Sequence, residues 1–250
     1  MNIKKIAFFT TTITLSTVLC GQALAAIALD RTRVIYNGAE KTISLNIKNE
    51  NTELPYLAQG WIEDANGNKI ESPLTVLPPV QRVEAGEGSQ VKIQSLPDVS
   101  ALPQDRESVY YFNLREIPPR SKEANVLQIA LQTRIKLFYR PKALYATRTD
   151  LENPWQEKIT LTRKGDAYEV TNPTAYFVTI VDASSRVGGD TVKQFEPVMI
   201  SPKSNGMLKG SASAMGTKPV LTYINDYGGR PKLTFGCAGT TCKVESSTDR

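Results

Sequence analysis

Few side chains in this sequence can do chemistry, and one class is missing: none of the 250 residues is histidine. Without it no Ser-His-Asp or Cys-His nucleophile pair can be assembled, nor any histidine-bearing zinc site. No G-x-x-x-x-G-K-[ST] loop or strand-borne G-x-G-x-x-G is present to cradle phosphates. The neighbouring acids Glu63 and Asp64 invite a glycoside-hydrolysis reading, which needs two carboxyl groups flanking a bond, but a solvated surface pair is the simpler account. Cys237 and Cys242 stand with four residues between them in "GCAGTTC". In an oxidising compartment a disulfide closing a turn is the default, with free thiols as the alternative. Two thiols without imidazole make a poor metal site. Neither an enzyme, a cofactor nor a bound metal is expected.

The compartment is legible at the amino end. Lys4 and Lys5 precede an apolar, Thr-rich stretch over residues 6–19, and Ala23-Leu24-Ala25 supplies a small-x-small cleavage site. That stretch is shorter than the roughly 20 apolar residues of a membrane span. Residues 1–25 therefore read as an export signal removed before Ala26. Cys20 follows the large Leu19, where lipoprotein signals carry a small residue, so lipidation is not expected. No other apolar run is long enough to cross a membrane, so membrane insertion is not expected. Losing the signal removes two lysines and one cysteine, leaving 225 residues with a formal charge of +3. That length suits one large or two modest domains. No basic run carries interleaved aromatics, which argues against nucleic acid.

Strands must position these residues. Short segments of alternating polarity separated by turns fill the first half: "IALDRTRVIYNG", "KTISLNIKNEN", "PYLAQGWIEDANGNKI", "SQVKIQSL" and "SVYYFNLREI". With Asn37-Gly38 and Asn66-Gly67 as turn signals, they make about seven strands, the count of an immunoglobulin-like sandwich. A second series runs from "KITLTRKGDAYEVTNP" to "KLTFGCAGTTCKV", after an aperiodic stretch near residues 142–153 that reads as a hinge. The tail "ESSTDR" is expected to fray.

One segment exceeds this pattern. In "ANVLQIALQTRIKLFYRP" the odd positions Leu127, Ile129, Leu131, Ile135, Leu137 and Tyr139 are apolar, broken only by Thr133. Thirteen residues of period two predict a strand of about 43 Å at 3.3 Å per residue. Either its apolar row lies in the domain's own core, or part of it is left for a partner strand. Lys136 and Arg140 fall on the opposite face, unless a bulge near Thr133-Arg134 turns the strand. In the opening strand Arg31 and Arg33 share parity with Ile27, Leu29 and Ile35. Exposure at an edge explains such an arginine; in a cleft, Arg33 with a nearby Lys would bind a carboxylate.

Taken together, "LDRTRVIYNGAEKTISLNIKNEN", "LPYLAQGWIED", "PPVQRVEAGEGSQVKI", "LPQDRESVYYFNLREIPPR", "ANVLQIALQTRIKLFYRP" and "YINDYGGRP" resemble the periplasmic pilus-assembly chaperones of the chaperone–usher pathway. The resemblance covers essentially the whole chain after the signal. It implies an all-β protein of two immunoglobulin-like domains, residues 26–145 and 146–250, set as an L with a cleft between them. It further implies that Leu127, Ile129 and Leu131 are donated to a pilin lacking a strand, and that Arg33 and Lys136 hold the pilin's C-terminal carboxylate. Glu107, Arg140 and Asp226 match an ion network between the domains. The implied partners are pilus subunits, the tip adhesin among them, and an outer-membrane usher; no ATP is used, and the sequence leaves open whether the free chain covers its strand by self-dimerisation. The chain departs from the pattern in a one-residue shortening between "WIED" and "PPVQR" and in a divergent "SSRVGGDTVKQFE". These are loops that bear on subunit or usher choice. A short loop before "ANVLQIALQ" fits chaperones of rod-like, adhesin-tipped pili. The rival reading is a secreted β-sandwich module binding a carbohydrate or surface ligand, with the Leu127-Ile129-Leu131 row buried by its own side chains.

Overall fold

The computed structural model describes residues 25–121, 125–145 and 153–248; all but the last residue of the candidate signal and most of the candidate hinge lie outside them. Two β-sandwiches follow one another along the chain. In the first, β1 (Ile27–Leu29), β3 (Thr42–Asn49), β8 (Gly88–Ser95) and β6 (Leu74–Leu77) form one sheet in the order β1-β3-β8-β6. The facing sheet runs β2 (Arg33–Asn37), β10 (Gln132–Arg140), β9 (Ser108–Ile117), β4 (Tyr56–Glu63) and β5 (Lys69–Ile70), with β7 (Val80–Val83) also on β4. Alternate residues point inward from each sheet, so Leu45, Ile47, Ile93, Phe112, Leu114 and Leu137 close one core between them.

The opening segment changes sheets. β1 pairs with β3 in one layer, and three residues later β2 pairs in parallel with β10 in the other. This resolves the mixed parity of the arginines. Ile27 is buried from the first sheet, whereas in β2 the inward residues are Val34 and Tyr36, leaving Arg33 and Ile35 on the outer face.

The predicted thirteen-residue strand is shorter than its pattern. β10 begins only at Gln132, although its register with β9 is unbroken from Gln132↔Arg115 to Tyr139↔Ser108, so no bulge turns it. Continuing that register upstream sets Ile129 against Pro118 and Gln128 against Pro119. Proline has no N–H to give, so the ladder stops after Glu116 N–H donates to the Leu131 carbonyl at 3.0 Å. The Gln128 side chain takes over, donating to the Pro119 carbonyl at 2.6 Å.

The second sandwich is one hydrogen-bonded sheet folded over its own core, in the order β14 (Val198–Ile200), β13 (Val178–Ser184), β16 (Val220–Tyr223), β17 (Lys232–Ala238), β18 (Thr241–Ser247), β11 (Thr160–Lys164), β12 (Ala167–Asn172), β15 (Ser204–Met207). Cys237 and Cys242 are cross-strand partners at the β17–β18 turn and are joined by a disulfide. The first part of the tail expected to fray is instead paired, as far as Ser247 opposite Leu233; residues 249–250 lie outside the described residues.

A buried arginine joins the domains. Arg140, the last residue of β10, donates from Nε to Glu107 at 2.7 Å and from Nη1 and Nη2 to Asp226 at 2.8 and 3.1 Å. Its guanidinium also lies against the stacked rings of Trp155 and Tyr176, 4.9 and 5.0 Å from their centres. Glu107 reaches the second domain too, accepting from the Phe177 N–H at 2.8 Å. Removing one member of a buried ion set strands the others. Arg140→Ala is therefore expected to cost about 3–5 kcal/mol, read as a lower denaturant midpoint by intrinsic fluorescence, with Lys203→Ala on the exposed inter-domain pair with Asp105 changing little.

Candidate functional site

The parallel pairing of β2 with β10 makes Arg33 and Lys136 direct Cα partners. Both project from the outer face of the sheet, so the ladder itself sets two cations side by side. Arg33 donates from Nη1 to the Ile224 carbonyl of the second domain at 3.2 Å, while its Nε is buried without a partner. Among the described residues the Lys136 side chain has neither a hydrogen bond nor an ion pair. Burial pulls the pKa of both groups down. For Arg33 the attraction of Asp226 and Glu107 offsets part of this, while for Lys136 the neighbouring Arg33 charge adds to it. Other cations at this junction are already matched: Arg31 with Asp30, and Arg140 with two carboxylates. Two half-desolvated cations, Arg33 only partly compensated and Lys136 without a countercharge, form a site for an anion, where charge-assisted bonds are strong.

A cavity of about 430 Å³ opens in front of Arg33 where the domains meet, bordered by Arg31, Arg140, Asp226, Tyr145 and Tyr227. The second domain reaches it through the turn at residues 225–229. There Gly228 has φ +84° and a side-chain carbon would come within 2.6 Å of the Thr32 hydroxyl, so both conformation and space require glycine.

Beside the cations lies an open backbone edge. β2 covers β10 only from Lys136 onward. Upstream, residues 132–135 are paired with β9 on one side and with no strand on the other. The preceding segment exposes Leu127, Ile129 and Leu131 at 84%, 64% and 37%. The core alternative for this row therefore fails at its upstream end, while Ile135, Leu137 and Tyr139 are buried as the alternation requires. The acid pair has other duties. Glu63 accepts from Arg134 at 2.8 Å and from the Trp61 indole, and Asp64 caps the Asn66-Gly67 turn through the Asn66 and Asn68 N–H groups.

Sequence reasoning placed Arg33 and Lys136 near one another only through the resemblance. It missed Ile224, Tyr145 and Tyr227 at the cleft, and Trp155 and Tyr176 around Arg140. No periodicity marks such residues, because each comes from a loop or a different domain.

An extended apolar segment with a free edge, running into a cationic pocket between two sandwiches, defines a polypeptide-binding protein. Comparisons give it a family. Residues 26–145 match the model of the pili and flagellar-assembly chaperone PapD N-terminal domain, and residues 154–235 that of the pili assembly chaperone PapD C-terminal domain. The chain is 53% identical over 228 residues to the probable fimbrial chaperone YfcS of Escherichia coli K12, covering 91% of this chain and 89% of that one. It is 51% identical over 222 residues to the chaperone protein PapD of Escherichia coli, covering 88% and 90%. The crystal structure of the periplasmic chaperone SfaE superposes with a TM-score of 0.67 at 29% identity, covering 85% of this chain and all of that one. The SafB chaperone, solved in complex with the SafA pilin of Salmonella enterica, gives 0.67 at 25% identity, covering 84% and 95%. The chain belongs to the PapD-like family of pilus-assembly chaperones, which are not enzymes.

The charge on Lys136 is a burden to the free protein. Its folded pKa lies below the ordinary 10.5, so the charged form is penalised on folding at every pH below that folded pKa. The penalty fades as pH rises from the folded value to the unfolded one. Lys136→Met is thus expected to raise the melting temperature at pH 7, with the gain shrinking toward pH 10.5. Scanning calorimetry across that range checks it, and a melting temperature lowered at pH 7 contradicts it.

Proposed function

We propose that this chain acts in the periplasm, holding a pilus subunit by strand donation until an outer-membrane usher takes it. The observation that carries the reading is the continuity of three features along β10 and the segment leading into it: the exposed Leu127-Ile129-Leu131 row, the open edge at residues 132–135, and Lys136 beside Arg33 of β2 where that edge closes. A subunit lacking a strand has an apolar groove and unpaired backbone groups, an aggregation hazard that a donated strand covers. Leu127, Ile129 and Leu131 fill alternate pockets of the groove, and main-chain bonds form along the edge.

Direction follows from the anchor. A subunit strand on this edge occupies the line of β2, whose first residue is Arg33. Ending in a carboxylate at Arg33 and Lys136, it must run toward them, parallel to β10. The anchor also fixes register, because a one-residue slip would turn every donated side chain to the wrong face. The Glu107-Arg140-Asp226 network holds the second domain behind the anchor. The complex of SafB with the SafA pilin, and that of the CsuC chaperone with the CsuE tip adhesion subunit, support subunits and tip adhesins as the partner class. With no subunit present, the same row is open to a second copy of the chain.

The test is co-purification from periplasm with a candidate pilin. The wild-type chain is expected to yield a 1:1 complex. Recovery should fall at least tenfold for Arg33→Ala, for Lys136→Ala, and for a pilin whose C-terminus is extended by two glycines. Leu127→Asp with Ile129→Asp should abolish recovery while leaving the melting temperature unchanged, since neither side chain is packed. Full recovery with the glycine-extended pilin discards the anchor, and full recovery with the double Asp variant discards the donated row.

A further inference from the structure

One buried carboxylate has no place in subunit capture. Glu116 ends the inward row Tyr110, Phe112, Leu114 of β9 and is 6% exposed. Its Oε2 accepts from the backbone N–H of Ile27 at 2.9 Å. No Lys or Arg among the described residues forms an ion pair with it. A largely buried carboxylate held through one oxygen by a neutral N–H has no countercharge beside it among the described residues, and burial favours one.

The next nitrogen along the chain is that of Ala26, and consecutive backbone nitrogens lie roughly 3–3.6 Å apart. Ala26 is itself fixed, its carbonyl accepting from Glu50 N–H at 2.7 Å, and it is half-buried. In a chain that continues upstream this nitrogen is a neutral amide. In a chain cut before Ala26 it is an ammonium no more than about 6.5 Å from Glu116 Oε2, the sum of the Ile27 bond and one residue's span.

We propose that Glu116 is the receptor for the amino terminus created by signal removal, and that the resulting ammonium–carboxylate pair locks β1 onto β9. The bond is hydrolysed at the Ala25–Ala26 amide, with water supplying the carboxylate of the leaving segment and the proton on the new amine. The pair ties the two sheets of the first sandwich together, because β1 lies in one sheet and β9 in the other. It does so at the base of the donated segment, since the Glu116 N–H holds the Leu131 carbonyl. Processing thereby supplies the missing countercharge only after export. The inference rests on the cleavage position read from the sequence, and on neither Arg33 nor Lys136.

Intact mass of the protein purified from periplasm establishes the first residue; a first residue other than Ala26 overturns the assignment and leaves the chaperone reading untouched. Melting temperature is then followed from pH 6 to pH 10.5 for wild type and for a variant with one glycine inserted between Ala25 and Ala26. The inserted residue moves the ammonium away without altering Glu116. An α-ammonium has an ordinary pKa of about 7.7–8.0, and pairing raises it in the folded state. The extra stability is therefore complete below about pH 8 and lost as pH rises through the folded value. A wild-type melting temperature several degrees above the variant's at pH 7, converging with it by pH 10.5, is the expected result. Glu116→Gln should remove the difference between the two chains. Equal melting temperatures at pH 7, or a gap that persists both at pH 10.5 and in the Glu116→Gln background, overturn the proposal.

Discussion

The arrangement of this protein depends on the buried guanidinium of Arg140. It stands at the end of β10, so the strand that presents its upstream half to solvent is tied at its other end to both domains, through Glu107 and Asp226. A guanidinium suits the position because its planar fork meets one carboxylate in a bidentate pair and still offers Nε to the other. The flat faces of Trp155 and Tyr176 receive the same plane. This set helps to hold the second domain where Ile224 meets Arg33, and it brings Asp226 to the far wall of the cavity in front of Arg33.

Two kinds of charge burial therefore lie four residues apart on one strand. Arg140 is fully compensated and works as structure. Lys136 is partly buried with no countercharge, and works as a demand for a ligand. The difference comes from the strand's neighbours: at Arg140 the second domain supplies an acid, while at Lys136 the adjacent strand supplies another cation, Arg33. A carboxylate placed there would relieve an existing cost, so the proposed anchor would draw on free energy already built into the fold. The open edge follows a similar logic. Pro118 and Pro119 cannot donate to the ladder, so residues upstream of Leu131 escape their own sheet and remain available to another chain.

Much of the architecture was visible in the sequence because strands announce themselves through period two, and the turns at Asn37-Gly38 and Asn66-Gly67 through their chemistry. The apolar row at Leu127, Ile129 and Leu131 was visible for the same reason, but not its fate. Alternation says which residues share a face and is silent on what covers that face. The opening arginines show the limit: Ile27 and Arg33 share parity along the chain, yet the chain changes sheets between them, and parity loses its meaning across such a crossing. The paired tail was missed because polar residues such as Ser246 and Ser247 carry no hydrophobic pattern, and only the facing strand β17 holds them.

The sequence by itself determined the class: no histidine for catalysis, a strand pattern throughout, two cysteines close enough to join, and motifs specific enough to name a family. Those properties are local, written in residue types and short spacings. The tertiary structure alone decided that Arg33 faces Lys136, that Glu107 and Asp226 converge on Arg140, and that one apolar row is packed at one end and bare at the other. Each of these joins segments distant in sequence, and such meetings depend on which strands pair and where a ladder ends, which no local pattern encodes.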